Sequence, residues 1–166
     1  NFAKTKKPVF SATGIDQVEF YIQTNPGEAM GPLARIASGG ELSRVMLALK
    51  TIFAQGEGVT SIIFDEVDTG VSGRVAQAIA DKIRLIAEGS QVLCITHLPQ
   101  VAAVAQHHLL IQKRVHDQRT TTSVTPLNTN QRVEELARML AGDTITKLAR
   151  EHASELLTMA KQKAQD

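Results

Sequence analysis

Several absences narrow the class of this 166-residue sequence before any motif is read. There is no tryptophan, and aromatic residues make up 4% of the chain, so a core must be built mainly from aliphatic side chains. The single cysteine, Cys94, excludes an internal disulfide and fits a reducing compartment. No apolar run is long enough to span a bilayer, and no signal-peptide pattern opens the chain. These absences lead to the expectation of a cytoplasmic protein. The net charge of +1 is far from the basic excess that by itself announces a nucleic-acid binder. There is no internal repeat, low-complexity tract or interdomain linker. The first residue is Asn1 and not methionine, which suggests a piece of a longer chain.

What is present suits a folded domain. Hydrophobic residues make up 43% and charged residues 21%, enough apolar material for a packed core in a chain of single-domain length. The organising stretch is Ser38-Gly39-Gly40-Glu41-Leu42-Ser43-Arg44. Beyond it, Val45, Met46, Leu49, Ile52 and Phe53 recur at helical spacing and predict one buried face over about residues 41–55, stopped by Gly56 and Gly58. Ser38 can cap the helix, and the glycines leave room for close backbone approach. The unpaired N–H groups of a first turn, with its partial positive charge, form a socket for an anion such as phosphate. Alone, a Ser-Gly-Gly entry is an ordinary flexible cap.

The remaining elements follow from pattern. Residues 1–14 read as irregular. Val18, Phe20 and Ile22 alternate with polar neighbours as in a half-buried strand, closed by Asn25-Pro26-Gly27, with a loop over 28–37. Thr60-Ser61-Ile62-Ile63-Phe64 and Gln91-Val92-Leu93-Cys94-Ile95-Thr96 read as buried parallel strands. Between them, Ser72 caps a helix over 73–88 with Val75, Ile79, Ile83 and Ile86 on one face, and Gly89 closes it. This strand–helix–strand unit predicts a parallel crossover. Pro99 opens a short helix, residues 107–114 and 120–127 read as antiparallel strands, and helices follow near 131–141 and 144–163.

The chemistry gathers at strand ends, where open α/β sheets place their sites. Asp65 and Glu66 end one strand, and Thr96 and His97 end its neighbour. A carboxylate there can hold Mg²⁺, which prefers hard oxygen ligands. The next carboxylate can orient and deprotonate a water, and a histidine at the adjacent tip can hydrogen-bond a phosphoryl oxygen. These are the parts of a nucleotide-hydrolysis site. Taken singly, Asp-Glu after a strand is a loop start, and a histidine after threonine is a structural residue. The ordered combination is the specific signal. Elsewhere the reading is plain: Cys94 is core, His107 and His108 make no metal site, and Lys113, Arg114 and Arg119 mark a solvated hairpin tip.

In that order the motifs resemble those of ABC-type ATPases. Residues 38–44 look like the signature motif, and residues 61–66 like a Walker B strand with its acidic pair. Asp68 falls at the D-loop aspartate, and His97 at the switch histidine. Val18-Glu19-Phe20, Thr24-Asn25-Pro26-Gly27-Glu28 and the stretches 37–44, 64–73 and 96–102 narrow the likeness to an SMC-like bacterial DNA-repair branch, over about residues 15–160. The resemblance implies an α/β fold: the C-terminal lobe of a P-loop NTPase head with a parallel βαβ core, an antiparallel hairpin and C-terminal helices. The whole of 1–166 is then one partial domain, with 1–14 near its boundary.

It also implies ATP and Mg²⁺ as cofactors and two heads sandwiching two nucleotides. Asp65 would support the metal, Glu66 would act on the attacking water and His97 would contact the γ-phosphate. Ser38, Gly39, Gly40 and Glu41 would face the nucleotide of the other head, with Asp68 coupling the two sites. The implied partners are the P-loop half of the same protein, a second head, and DNA through the full-length protein. Three departures stand against the pattern. No Gly-x-x-x-x-Gly-Lys-Ser/Thr stretch exists in these residues, no glutamine-bearing Q-loop segment can be placed, and there are no long heptads. The expectation is a head lobe without its P-loop half, inactive alone. The rivals are a non-catalytic dimerisation or DNA-tethering module and the head of another SMC-like chromosome-organising ATPase.

Overall fold

The computed structural model describes residues 10, 12, 14–16, 18–23, 27, 29–36, 38–53, 61–116 and 119–163. The chain divides into two units, 1–38 and 39–166. In the first, strand β1 (Tyr21–Ile22) pairs antiparallel with β2 (Gly31–Pro32), and α1 (Leu33–Ile36) follows directly. The loop expected over 28–37 therefore holds a short strand and a helical turn. The strand expected around Val18 and Phe20 is only two residues long, and both of these side chains are exposed. Its partner β2 pairs only with Tyr21 and Ile22, and upstream of them the contact continues as a single bond, Leu33 N–H on Phe20 O at 2.7 Å. The turn at 24–26 lies outside the described residues.

The second unit begins with α2 (Gly39–Phe53). Both glycines lie inside its first turn, so the helix starts two residues earlier than its apolar pattern suggests. The expected buried face is largely exposed: Met46, Leu49, Ile52 and Phe53 face outward, while Gly40 and Leu47 are buried. The glycine face is the one that lies against the polypeptide, and Leu47 follows it at helical spacing. The expected stop at Gly56 and Gly58 lies outside the described residues.

Strand β3 (Ser61–Phe64), helix α3 (Gly73–Ala87) and strand β4 (Gln91–Cys94) form the parallel unit, in register from Ser61↔Gln91 to Phe64↔Cys94. The buried stripe of α3 is Ala76, Ile79, Ala80, Ile83 and Ile86; Val75, expected on it, is exposed. Ile79, Ile83 and Ile86 stand where expected, and the small Ala76 and Ala80 complete the stripe because they let the helix lie close. Only one face of the sheet is covered among the described residues. Phe64, Ile62, Val92 and Cys94 join the core with α3, while Ile63 (69% exposed), Leu93 and Ile95 look outward. Both strands were expected to be buried on two faces.

Helix α4 (Pro99–Ala103) sits between two cores. Val101 packs with Phe64, Val67 and α3, and Ala102 and Ala103 pack with the C-terminal helices. Strands β5 (Leu109–His116) and β6 (Arg119–Pro126) form a full antiparallel hairpin from Leu109↔Pro126 to His116↔Arg119. Helix α5 (Thr129–Ala141) starts earlier than its apolar pattern because Asn128 and Gln131 form a reciprocal capping box, each bond 2.9 Å. Gly142, at φ +73°, ends it. Thr146 caps α6 (Lys147–Gln162) through the Ala149 N–H. No helix among the described residues is long and apolar enough to cross a membrane.

Leu136 is fully buried between α4, α5 and α6. Leu136→Ala should cost about 2–5 kcal/mol, the range for a leucine deleted from a tight core. A urea melt checks this, and an unchanged midpoint would show that the C-terminal helices do not close a core.

Candidate functional site

The parallel register brings two strand ends together. Ile95 N–H donates to Phe64 O at 2.9 Å, one step beyond the ladder, so residues 65–66 and 96–97 leave the same edge side by side. Asp65 and Glu66 are exposed there. The Cys94 thiol records the charge at this edge: its pKa is pushed up to about 12, first by burial, then by the negative charge of Asp68 and Asp65. Cys94 is thus a protonated, half-buried core residue.

The loop after β3 is tied to α2. Ser43 Oγ donates to Asp65 O at 2.8 Å, and Arg44 Nη1 donates to Thr69 O at 2.9 Å and Val67 O at 3.5 Å. Glu66 takes the left-handed backbone region at φ +56°, a conformation that costs a non-glycine residue about 1–2 kcal/mol. The turn is closed by Thr69 N–H on Glu66 O at 3.1 Å. A Cβ on Gly39 would run into the Glu66 carboxylate. One on Gly40 would stand 3.0 Å from Glu66 O and 3.2 Å from Thr69 Cβ. Gly40 is the position where close approach matters, because its neighbours are backbone and a Cβ, whereas at Gly39 the neighbour is the movable tip of the Glu66 side chain; both contacts are with the acidic turn of the same chain.

On its other side the loop is tied to the end of β4. Asp68 is 2% exposed, and its Oδ2 accepts from the Thr96 hydroxyl and from the His97 N–H at 3.0 Å. His97 Nδ1 stands 3.3 Å away, with the ring 67% exposed. The Thr96 hydroxyl turns to this carboxylate just past the end of β4 at Cys94. Past His97, Arg132 Nη2 donates to Ala105 O at 2.7 Å and Ala103 O at 3.3 Å, satisfying carbonyls at the end of α4.

The site residues expected from sequence therefore fall into linked groups. Gly39 and Gly40 meet Glu66, Ser43 meets Asp65, and Asp68 meets His97. Glu41 lies half-buried in the first turn of α2. Ser38 is the exposed last residue of the first unit. Two clefts of the second unit lie beside the hairpin and α5, away from all of these residues. Sequence reasoning missed Arg44 and Arg132 as positioning groups. Arginines in or near the first turn of a helix read as solvated, and nothing local announces the distant carbonyls they meet.

A scan against protein-family models matches none. Direct comparison is decisive. Over 158 residues the chain is 64% identical to the DNA repair protein RecN of Halalkalibacterium halodurans, covering 95% of this chain and 28% of that protein. The chain belongs to the RecN family. RecN of Bacillus subtilis is 62% identical over 149 residues, with 90% and 26% covered. RecN of Treponema pallidum is 49% identical over 144 residues, with 87% and 25% covered. The chain thus spans about a quarter of the length of the curated RecN relatives it matches. A solved chain from work on ATP-driven dimerization and DNA-stimulated activation of SMC ATPases is 16% identical with a TM-score of 0.46, covering 75% of this chain and 81% of that one. That likeness is too distant to argue from.

Gly40 gives a direct test of how this RecN segment is built. In an open helix, Gly→Ala gains roughly 1 kcal/mol. Gly40→Ala should instead lose about 1–3 kcal/mol, as overpacking does, because backbone and Cβ neighbours must move. Urea denaturation reads the sign, and a gain would show that the 66–69 turn does not rest on α2.

Proposed function

We propose that residues 1–166 form one part of a RecN-type ATPase head, the C-terminal lobe, serving DNA double-strand-break repair in the cytoplasm through ATP-dependent pairing of heads. The observation that carries this reading is the shared sheet edge: Asp65 and Glu66 leave β3 beside His97 leaving β4, on a loop packed against a glycine-led helix.

The donor set suits a magnesium nucleotide in part. Mg²⁺ asks for one or two carboxylates and completes its shell with water and phosphate oxygens. Asp65, exposed at the strand end, offers one such ligand. Bound there, the ion would neutralise phosphate charge. Glu66 would orient and deprotonate a water, and His97 would hydrogen-bond the terminal phosphoryl group. Ser38, Gly39, Gly40 and Glu41 would meet the nucleotide of a second head. Asp68 would belong to the same centre through His97. Nothing in this sequence supplies the glycine-rich loop and lysine that grip the other phosphates.

The partner that brings those groups would be the P-loop half of the same protein. Two features support it. A two-stranded parallel sheet leaves Ile63, Leu93 and Ile95 exposed, whereas parallel sheets are ordinarily covered on both faces. Helix α2 likewise exposes Leu42, Met46 and Leu49. DNA would be met through the full-length protein.

In the complete protein, Glu66→Gln should slow ATP turnover about 100-fold or more while ATP-dependent head pairing persists, since removing the base spares binding. Steady-state turnover and sedimentation in ATP check the two halves of that statement. Unchanged turnover would remove Glu66 from its role.

A further inference from the structure

Asp68 is the one buried polar or charged side chain among the described residues of the second unit. A carboxylate taken out of water must be met by donors. Oδ2 receives the Thr96 hydroxyl and the His97 N–H, and His97 Nδ1 faces it at 3.3 Å. Thr96 Oγ1 accepts the Leu98 N–H at 3.0 Å, which leaves the hydroxyl hydrogen for the carboxylate. The polarity around the ring follows. Nδ1 faces Oδ2 at 3.3 Å as a charge contact, and beside a carboxylate that only accepts, a protonated Nδ1 is favoured over a bare lone pair. In a neutral imidazole the bare lone pair is then at Nε2. The ring is two-thirds exposed, so its far edge is free to meet a ligand.

We propose that Asp68 is the positioning residue of His97: through Nδ1 it sets the ring and its tautomer, making Nε2 the atom presented to the terminal phosphoryl group or to the water beside it. This deepens the assignment of His97 to the nucleotide and rests on it. The consequence is specific. A neutral His97 accepts a hydrogen bond at Nε2, from a water or a hydroxyl. The tautomer favoured beside Asp68 has no hydrogen at Nε2 to donate. Contact with an unprotonated phosphoryl oxygen takes the imidazolium. The backbone side of the tie adds direction: the same oxygen holds the His97 N–H, so ring and main chain are fixed from one point. Past the ring, α4 is locked between two cores and capped by Arg132, which keeps the turn from relaxing away.

The tautomer can be read directly. In the nitrogen-15-labelled chain, at a pH where His97 is neutral, long-range proton–nitrogen correlation should show a protonated Nδ1 and a bare Nε2. In Asp68→Asn, whose amide can turn either its oxygen or its nitrogen to Nδ1, the preference should fall to a mixture. A native His97 with bare Nδ1 overturns the proposal, as does a native-like tautomer in a folded Asp68→Asn. The native spectrum decides even if the variant fails to fold. In the complete protein, Asp68→Asn should lower kcat about 10–100-fold with KM nearly unchanged, the scale on which loss of an orienting partner acts. It should add nothing further once His97 is replaced by asparagine. A wrong tautomer overturns the role of Asp68 alone. The stated tautomer with unchanged turnover in both variants overturns the assignment of His97 to the nucleotide, and with it any role of Asp68 in hydrolysis.

Discussion

A buried carboxylate is the constraint on which the second unit turns. Asp68 is out of water, and an ion so placed is costly unless hydrogen bonds meet it. The donors that meet it come from Thr96 and His97, nearly thirty residues on, so the turn after β3 and the turn after β4 are fastened to each other. Ser43 and Arg44 fasten the first of these turns to α2, and Arg132 fastens α4 to α5. The exposed side chains at the edge, Asp65, Glu66 and His97, thus need few contacts of their own. Their backbones are set by groups beneath them, which leaves their side-chain ends open.

That openness fits an incomplete centre. The glycines at the head of α2 are packed against Glu66 of the same chain. The outward face of β3 and β4 and one side of α2 carry aliphatic residues with nothing over them among the described residues. At about 25 cal/mol per Å² of apolar surface removed from water, covering such faces would stabilise both sides considerably. In the proposed reading, the remaining length of a RecN protein supplies the cover and the phosphate grip together.

Much of this was legible in the sequence, for identifiable reasons. The β3–α3–β4 unit, the hairpin and the terminal helices announce themselves because short β-branched runs and helical spacing are local signals. That the ends of β3 and β4 share one edge, with Asp65 and Glu66 on one and His97 on the other, follows once two strands are read as parallel neighbours. Other features depend on tertiary packing. Leu49 and Ile52 recur at helical spacing yet are exposed, because Gly40 and not the large residues marks the side of α2 that meets the chain. Val75 yields its place to Ala76, since closeness favours the smaller side chain. Asp68 is marked in the sequence only by its resemblance to a D-loop aspartate, and its burial against Thr96 and His97 shows only when the two strand ends are brought together. The capping box at Asn128 and Gln131 was readable and sets the α5 start ahead of its first apolar residue.

The central claim is that this polypeptide contributes acid, histidine and glycine contacts to a nucleotide held mainly by residues outside its sequence. Mixing is its most direct test: ATP turnover measured for this chain, for a separately made P-loop half of a RecN protein, and for the two together. Turnover that is negligible in each half and appears on mixing is the predicted result. Hydrolysis by this chain alone, at a rate matching the mixture, would contradict the account.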